Sequence, residues 1–120
     1  MRKPISPKLH GMLDYATSAA TALLPLLMPL PRRAARTAEA WAAAYTALSA
    51  LTDYPLALRR RVPFQMHGAV DRALGLVMPA LPWILGFARN RRGRNVFLAL
   101  AGVTIVVTAL TDWNSTEGAG

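Results

Sequence analysis

Two histidines, each followed four residues later by an aspartate, are the residues of this chain best suited to chemistry. HGMLD runs from His10 to Asp14, and HGAVD runs from His67 to Asp71. Residues four apart lie on one face of a helix, so each pair presents an imidazole and a carboxylate together. A second motif is also duplicated. LTDY at Leu51–Tyr54 returns as LTDW at Leu110–Trp113, adding Thr52, Asp53, Thr111 and Asp112. These stretches hold both histidines and four of the six acidic residues. Brought together, such side chains could bind a divalent cation such as zinc, with His10, Asp14, His67 and Asp71 as the candidate ligands. They could equally relay protons, because histidine titrates near neutral pH. A bis-histidine haem between His10 and His67 is geometrically conceivable, but the sequence carries no other haem signal. The plainest alternative is structural: each Thr-Asp carboxylate caps a neighbouring helix start, pairs with a histidine and locks the rim of a helical bundle.

The elements that position these residues are apolar. Four nearly uncharged stretches, residues 11–31, 37–58, 73–88 and 95–111, are separated by clusters of Lys and Arg. Each is close to the ~20 residues that cross a bilayer. Residues 96–110, VFLALAGVTIVVTAL, show no polar face beyond three threonines. A helix that is apolar all round belongs in a core or in a membrane, and 120 residues provide no core able to enclose four of them. The expectation is therefore an all-α, four-helix transmembrane bundle, multi-pass in a bacterial inner membrane. Trp41, Trp83 and Trp113 lie toward segment ends, where an aromatic belt is expected. The basic start MRKPISPK followed by an apolar run has the form of a signal peptide. Its removal would discard half of a duplicated unit, so the segment is expected to stay.

The duplication sets the geometry. His10, Gly11, Asp14, Leu24 and Pro25 match His67, Gly68, Asp71, Leu81 and Pro82 at an offset of 57. Ala50, Leu51, Thr52 and Asp53 match Ala109, Leu110, Thr111 and Asp112 at 59, which implies a second hairpin loop two residues longer. Repeat 1 spans about residues 10–54 and repeat 2 about 67–113, after a basic segment at 1–9 and before a tail at 114–120 expected to be disordered. Each unit crosses twice, so both copies share one orientation about an axis along the membrane normal. All the duplicated His and Asp residues then meet on one side. Pro25 and Pro82 are expected to bend their helices. Helices 2 and 4 carry a matched polar stripe (Tyr45/Thr104, Ser49/Thr108, Thr52/Thr111) that reads as interhelical hydrogen bonding or as a polar cleft.

The arrangement resembles the SPW-repeat family of small bacterial membrane proteins. Leu81-Pro82-Trp83 is similar to the family signature with Leu in place of Ser, whereas the first repeat has Leu24-Pro25-Leu26. The resemblance covers about residues 10–113 and implies a four-helix, two-repeat membrane protein. It implies no activity.

A net charge of +8 invites a nucleic-acid reading, but the cations punctuate apolar segments instead of forming a basic face with stacking aromatics. No nucleic-acid partner is expected. The arginine clusters suit anionic lipid headgroups, and a second copy or another membrane protein is a further candidate partner. The absence of cysteine excludes disulfides and thiolate sites. No Ser-His-Asp order, phosphate loop or HExxH helix is present. The reading favours binding or assembly over turnover.

Overall fold

The computed structural model describes residues 2–115. It is all-helical. Helix α1 spans Pro7–Leu27, α2 Arg32–Leu51 and α3 Phe64–Val77. A single 3₁₀ turn at Met78–Ala80 leads into the short α4, Leu81–Ile84, and α5 spans Arg91–Leu110. Residues 116–120, most of the tail read as disordered, lie outside the described residues. α1 packs mainly on α2, and α3 mainly on α5. The molecule measures 43 × 27 × 20 Å.

Local sequence explains the helix starts. The Ser6 hydroxyl accepts from the Leu9 amide, with Pro7 at the first helical position. The Asn90 side chain accepts from the Gly93 amide at 2.8 Å. α2 and α3 begin directly after Pro31 and Pro63. The loop between α1 and α2 covers residues 28–31 and that between α4 and α5 covers 85–90, two residues longer, as the change in offset implies. Gly86, at φ +80°, turns the chain between them.

The two expected proline bends differ. Pro25 lies within α1, which runs on to Leu27 and stops, so little helix remains to be bent. Pro82 breaks its segment. It offers no amide to the Met78 carbonyl, Pro79 offers none to Gly75, and the α-helix gives way to the 3₁₀ turn from Met78. The third apolar stretch is thus three short helical pieces. Among the described residues one helix, α5, is long and apolar enough to cross a membrane.

The buried face of α1 is Pro7, His10, Gly11, Asp14, Ser18 and Thr21. That is a helical stripe, and it is polar. α3 buries Phe64, His67, Gly68, Asp71 and Gly75. Small residues on α2 (Ala34, Ala38, Ala42) and on α5 (Gly93, Ala101) let the helices pack closely. An apolar cluster of Met78, Phe87, Phe97, Ala34, Ala38 and Ala101 fills the end of the bundle nearest the α4–α5 loop. Outside, Leu26, Leu58 and Leu76 are each 80% or more exposed.

Candidate metal centre

The site forms where α1 and α3 begin and where α2 and α5 end. Both helix ends are completed by the other hairpin or the connecting loop, in matched ways. The Val62 amide donates to the Leu51 carbonyl at 2.7 Å, and the Asp53 amide donates to the Val62 carbonyl at 2.7 Å. Likewise the Ile5 amide donates to Leu110 at 3.1 Å, and the Asp112 amide to Ile5 at 2.9 Å. These contacts form short parallel bridges, Thr52 with Val62 and Ile5 with Thr111. They satisfy carbonyls that a helix C-terminus leaves without partners, and they hold Thr52 and Thr111 against the histidines.

Each histidine is gripped through Nδ1 by the threonine of the opposite hairpin. His10 Nδ1 lies 2.8 Å from Thr111 Oγ1, and His67 Nδ1 lies 2.7 Å from Thr52 Oγ1. Hydrogen bonding assigns the protons. Each threonine has one hydroxyl proton, and it is given to a backbone carbonyl one turn back: Thr111 to Val107 and Thr52 to Leu48, both at 2.6 Å. Both threonine oxygens are therefore acceptors, and both histidines donate from Nδ1–H. The other ring nitrogen, Nε2, faces inward on each.

The inward atoms converge. The two Nε2 atoms are 3.4 Å apart. Asp14 Oδ2 lies 3.3 Å from His10 Nε2 and 3.0 Å from His67 Nε2. Asp71 Oδ2 lies 3.2 and 3.3 Å from the same two nitrogens. Both histidines are fully buried, and the aspartates nearly so. With Nδ1 protonated, neutral imidazoles aim two nitrogen lone pairs and two carboxylate oxygens at one point with no donor among them. Protonated rings would instead donate from Nε2 to the two carboxylates at 3.0–3.3 Å, an ion-paired cluster. With both rings neutral, a cation at the centre satisfies all four acceptors.

Most of the distances match the coordination shell of a small cation. A tetrahedral zinc with ligands at about 2.0–2.1 Å separates adjacent ligand atoms by about 3.3 Å. Five of the separations within the set are 3.0–3.4 Å. All four ligand atoms lie within 4.8 Å of one another.

Further contacts orient the carboxylates. The Tyr45 hydroxyl donates to Asp71 Oδ1 at 2.7 Å. Ser49 and Tyr54 approach Asp14 Oδ2 at 3.4 Å. Rings cover the side of the cluster nearest the chain's N-terminus. Phe64 and Trp113 pack on His10 with centroids 5.7 and 4.8 Å away, and Tyr54 packs on His67 at 5.8 Å.

The structure brings together His10, Asp14, His67, Asp71, Thr52 and Thr111, and it separates Asp53 and Asp112 from them. Asp53 pairs with Arg60 at 3.1 Å in a partly exposed position. Neither aspartate caps a helix start: α1 is capped by Ser6, and α3 has no side-chain cap. The physical reason is that α2 and α5 end at Leu51 and Leu110 and the chain turns extended at Thr52 and Thr111. The aspartates thus sit beyond the last turn, contributing backbone amides instead of carboxylates. Trp113 also departs from the belt expected of it. Its Nε1–H donates to the Thr108 carbonyl at 2.9 Å, and its ring roofs the site. Trp41 packs against Tyr45, leaving Trp83 as the well-exposed tryptophan. Tyr54 and Trp113 occupy matched positions at the ends of the LTDY and LTDW motifs, the signal that could have placed them at the site. No family model, curated protein or solved structure matches the chain.

Proposed function

We propose that this is a small multi-pass membrane protein that holds a divalent cation, zinc by its donor set, in a His₂Asp₂ centre joining two duplicated hairpins. The observation that carries the reading is the convergence of four ligand atoms within 4.8 Å of one another, with Nδ1–H of each histidine fixed by a threonine. Metal-bound histidines characteristically donate their other ring proton to such a partner. Four protein ligands fill a tetrahedral shell, which suits holding an ion more than turning over a substrate at it. Two carboxylates neutralise the ion's charge, as a buried site requires.

Support for the membrane part comes from the inverted distribution of polarity. Among the described residues, ten buried ones are polar or charged against ten buried apolar ones, while large apolar side chains on α1, α3 and α5 face outward. Ionisable residues inside a membrane bundle face its interior and mark a site. The resemblance to SPW-repeat proteins agrees with this reading. Lipid contacts through the arginine clusters belong to the same proposal.

Elemental analysis of the protein purified in detergent is the direct test. The expected result is about one zinc per chain and none in the His10→Ala/His67→Ala variant. Wild-type protein that binds no divalent metal when supplied with one would sink the metal centre. It would leave the alternative, a buried ion-paired cluster that only locks the hairpins together.

A further inference from the structure

At the end of the bundle opposite the metal centre, the start of α2 and the end of α4 border an open pocket of about 480 Å³. Arg32, Arg33, Arg36 and Thr37 line it from α2, and Ile84 and Leu85 line it from the other hairpin. No carboxylate is in the lining, and among the described residues none pairs with the three arginines. Glu39, the acidic residue nearest to them along the chain, does not line the pocket. All three arginines are exposed, so the pocket faces outward.

One arginine is held in place. Arg33 donates from a guanidinium nitrogen to the Leu85 carbonyl at 3.1 Å, across the two hairpins. A Cβ on Gly86 would fall 2.8 Å from the same nitrogen, so the glycine leaves room for it. The Thr37 hydroxyl gives its proton to the Arg33 carbonyl at 2.6 Å, which leaves the arginines as the side-chain donors. Pro31 provides α2 with no side-chain cap, so the positive end of the helix adds to the field. Like charges three and four residues apart repel one another, and an anion between them removes that conflict. The opposite wall has a second chemistry. Ile84 and Leu85 are apolar and exposed, with exposed Trp83 beside them. A free phosphate leaves that wall wet, whereas a phospholipid covers it and places its phosphate on the guanidinium groups. The other basic sites fit less well. Arg60 already pairs with Asp53, and the opening at Lys3 and Arg72 has the Asp71 carboxylate in its lining.

Resting on the membrane reading, we propose that this pocket holds the headgroup phosphate of an anionic phospholipid. Arg33, fixed against Leu85, sets the position of the phosphate, and Arg32 and Arg36 close on its free oxygens. The acyl chains run past Ile84 and Leu85. A zwitterionic lipid offers the same phosphate but brings another cation to three already present.

The test titrates the full chain in a neutral detergent with dihexanoylphosphatidylglycerol and follows the melting temperature. Saturable stabilisation is expected, and dihexanoylphosphatidylcholine is expected to need about tenfold more lipid. Arg32→Gln/Arg36→Gln removes two cations whose guanidinium groups bond to nothing else among the described residues. It should raise the half-saturating concentration about 30-fold, and Arg33→Gln about fivefold. Arg91→Gln/Arg92→Gln removes two cations outside the lining and should leave it unchanged. Equal stabilisation by both lipids, or equal weakening in the two double variants, overturns the site. Inorganic phosphate should not stabilise the protein, and phosphate that matches phosphatidylglycerol would assign the pocket to a free anion instead. Failure of the membrane reading shows separately, as recovery of the chain in the aqueous phase on detergent phase separation. A chain that follows the detergent but has no preference between the lipids overturns this site alone.

Discussion

Thr52 and Thr111 set the chemistry of the proposed metal site without being candidate ligands themselves. Each gives its proton to its own helix and accepts one from a histidine, so the imidazole is held in one tautomer and one orientation. A serine can do the same, and an alanine cannot. Thr52→Ala or Thr111→Ala should therefore weaken zinc binding by about 10–100-fold, with Thr→Ser close to wild type. Competition against a chelator of known affinity reads this directly, and an unchanged affinity in both alanine variants would show that the threonines serve packing alone. The candidate ligands were legible from spacing, because His and Asp four apart share a helical face. Their pairing was not, since His10 meets Thr111 across 101 residues of sequence. The roles of Asp53 and Asp112 were misread for a local reason. A helix end two residues earlier converts a last-turn carboxylate into a residue outside the helix.

At the scale of the element, glycine and proline decide how closely helices meet and where they stop. Gly68 faces the ring of Trp113, and a Cβ there would fall 2.8 Å from two ring carbons. The ring is pinned between His10 and Phe64 and by its own hydrogen bond, so it has little room to move. The matching Gly11 is looser, with Leu56 and Tyr54 at 3.2 Å. Gly68→Ala should cost about 1–3 kcal/mol and lower the melting temperature in detergent more than Gly11→Ala. Equal melting of the two variants would contradict the contact. The prolines show the same dependence on context. Both were visible as helix breakers, but Pro25 falls beside a natural helix end whereas Pro82 follows Pro79 and interrupts a helix that would otherwise continue.

The whole molecule is polar where α1 and α3 face inward and apolar where its helices face out. A long axis of 43 Å is comparable with a bilayer including its headgroup regions, about 40–45 Å. Water gives no reason to expose Leu26, Leu76 and Ile84 while burying two histidines and two aspartates, whereas a lipid environment does. On detergent phase separation the chain is expected to follow the detergent, and recovery in the aqueous phase would overturn the membrane reading. Among the described residues α5 alone meets the length and hydropathy of a span. α1 carries its polar stripe within an otherwise apolar helix, α2 begins with arginines, and the third segment is interrupted. On the multi-pass reading proposed above, their crossing depends on packing against one another.

The sequence by itself determined the helical class and the candidate ligands, because apolar periodicity and the four-residue spacing are local properties. Only the tertiary structure decided that the four ligand atoms converge, that each threonine serves the opposite hairpin, and that tryptophan and tyrosine roof the site. Those outcomes depend on how two hairpins dock. Docking is governed by shape, by small residues at the contacts and by reciprocal hydrogen bonds, none of which leaves a periodic trace along the chain.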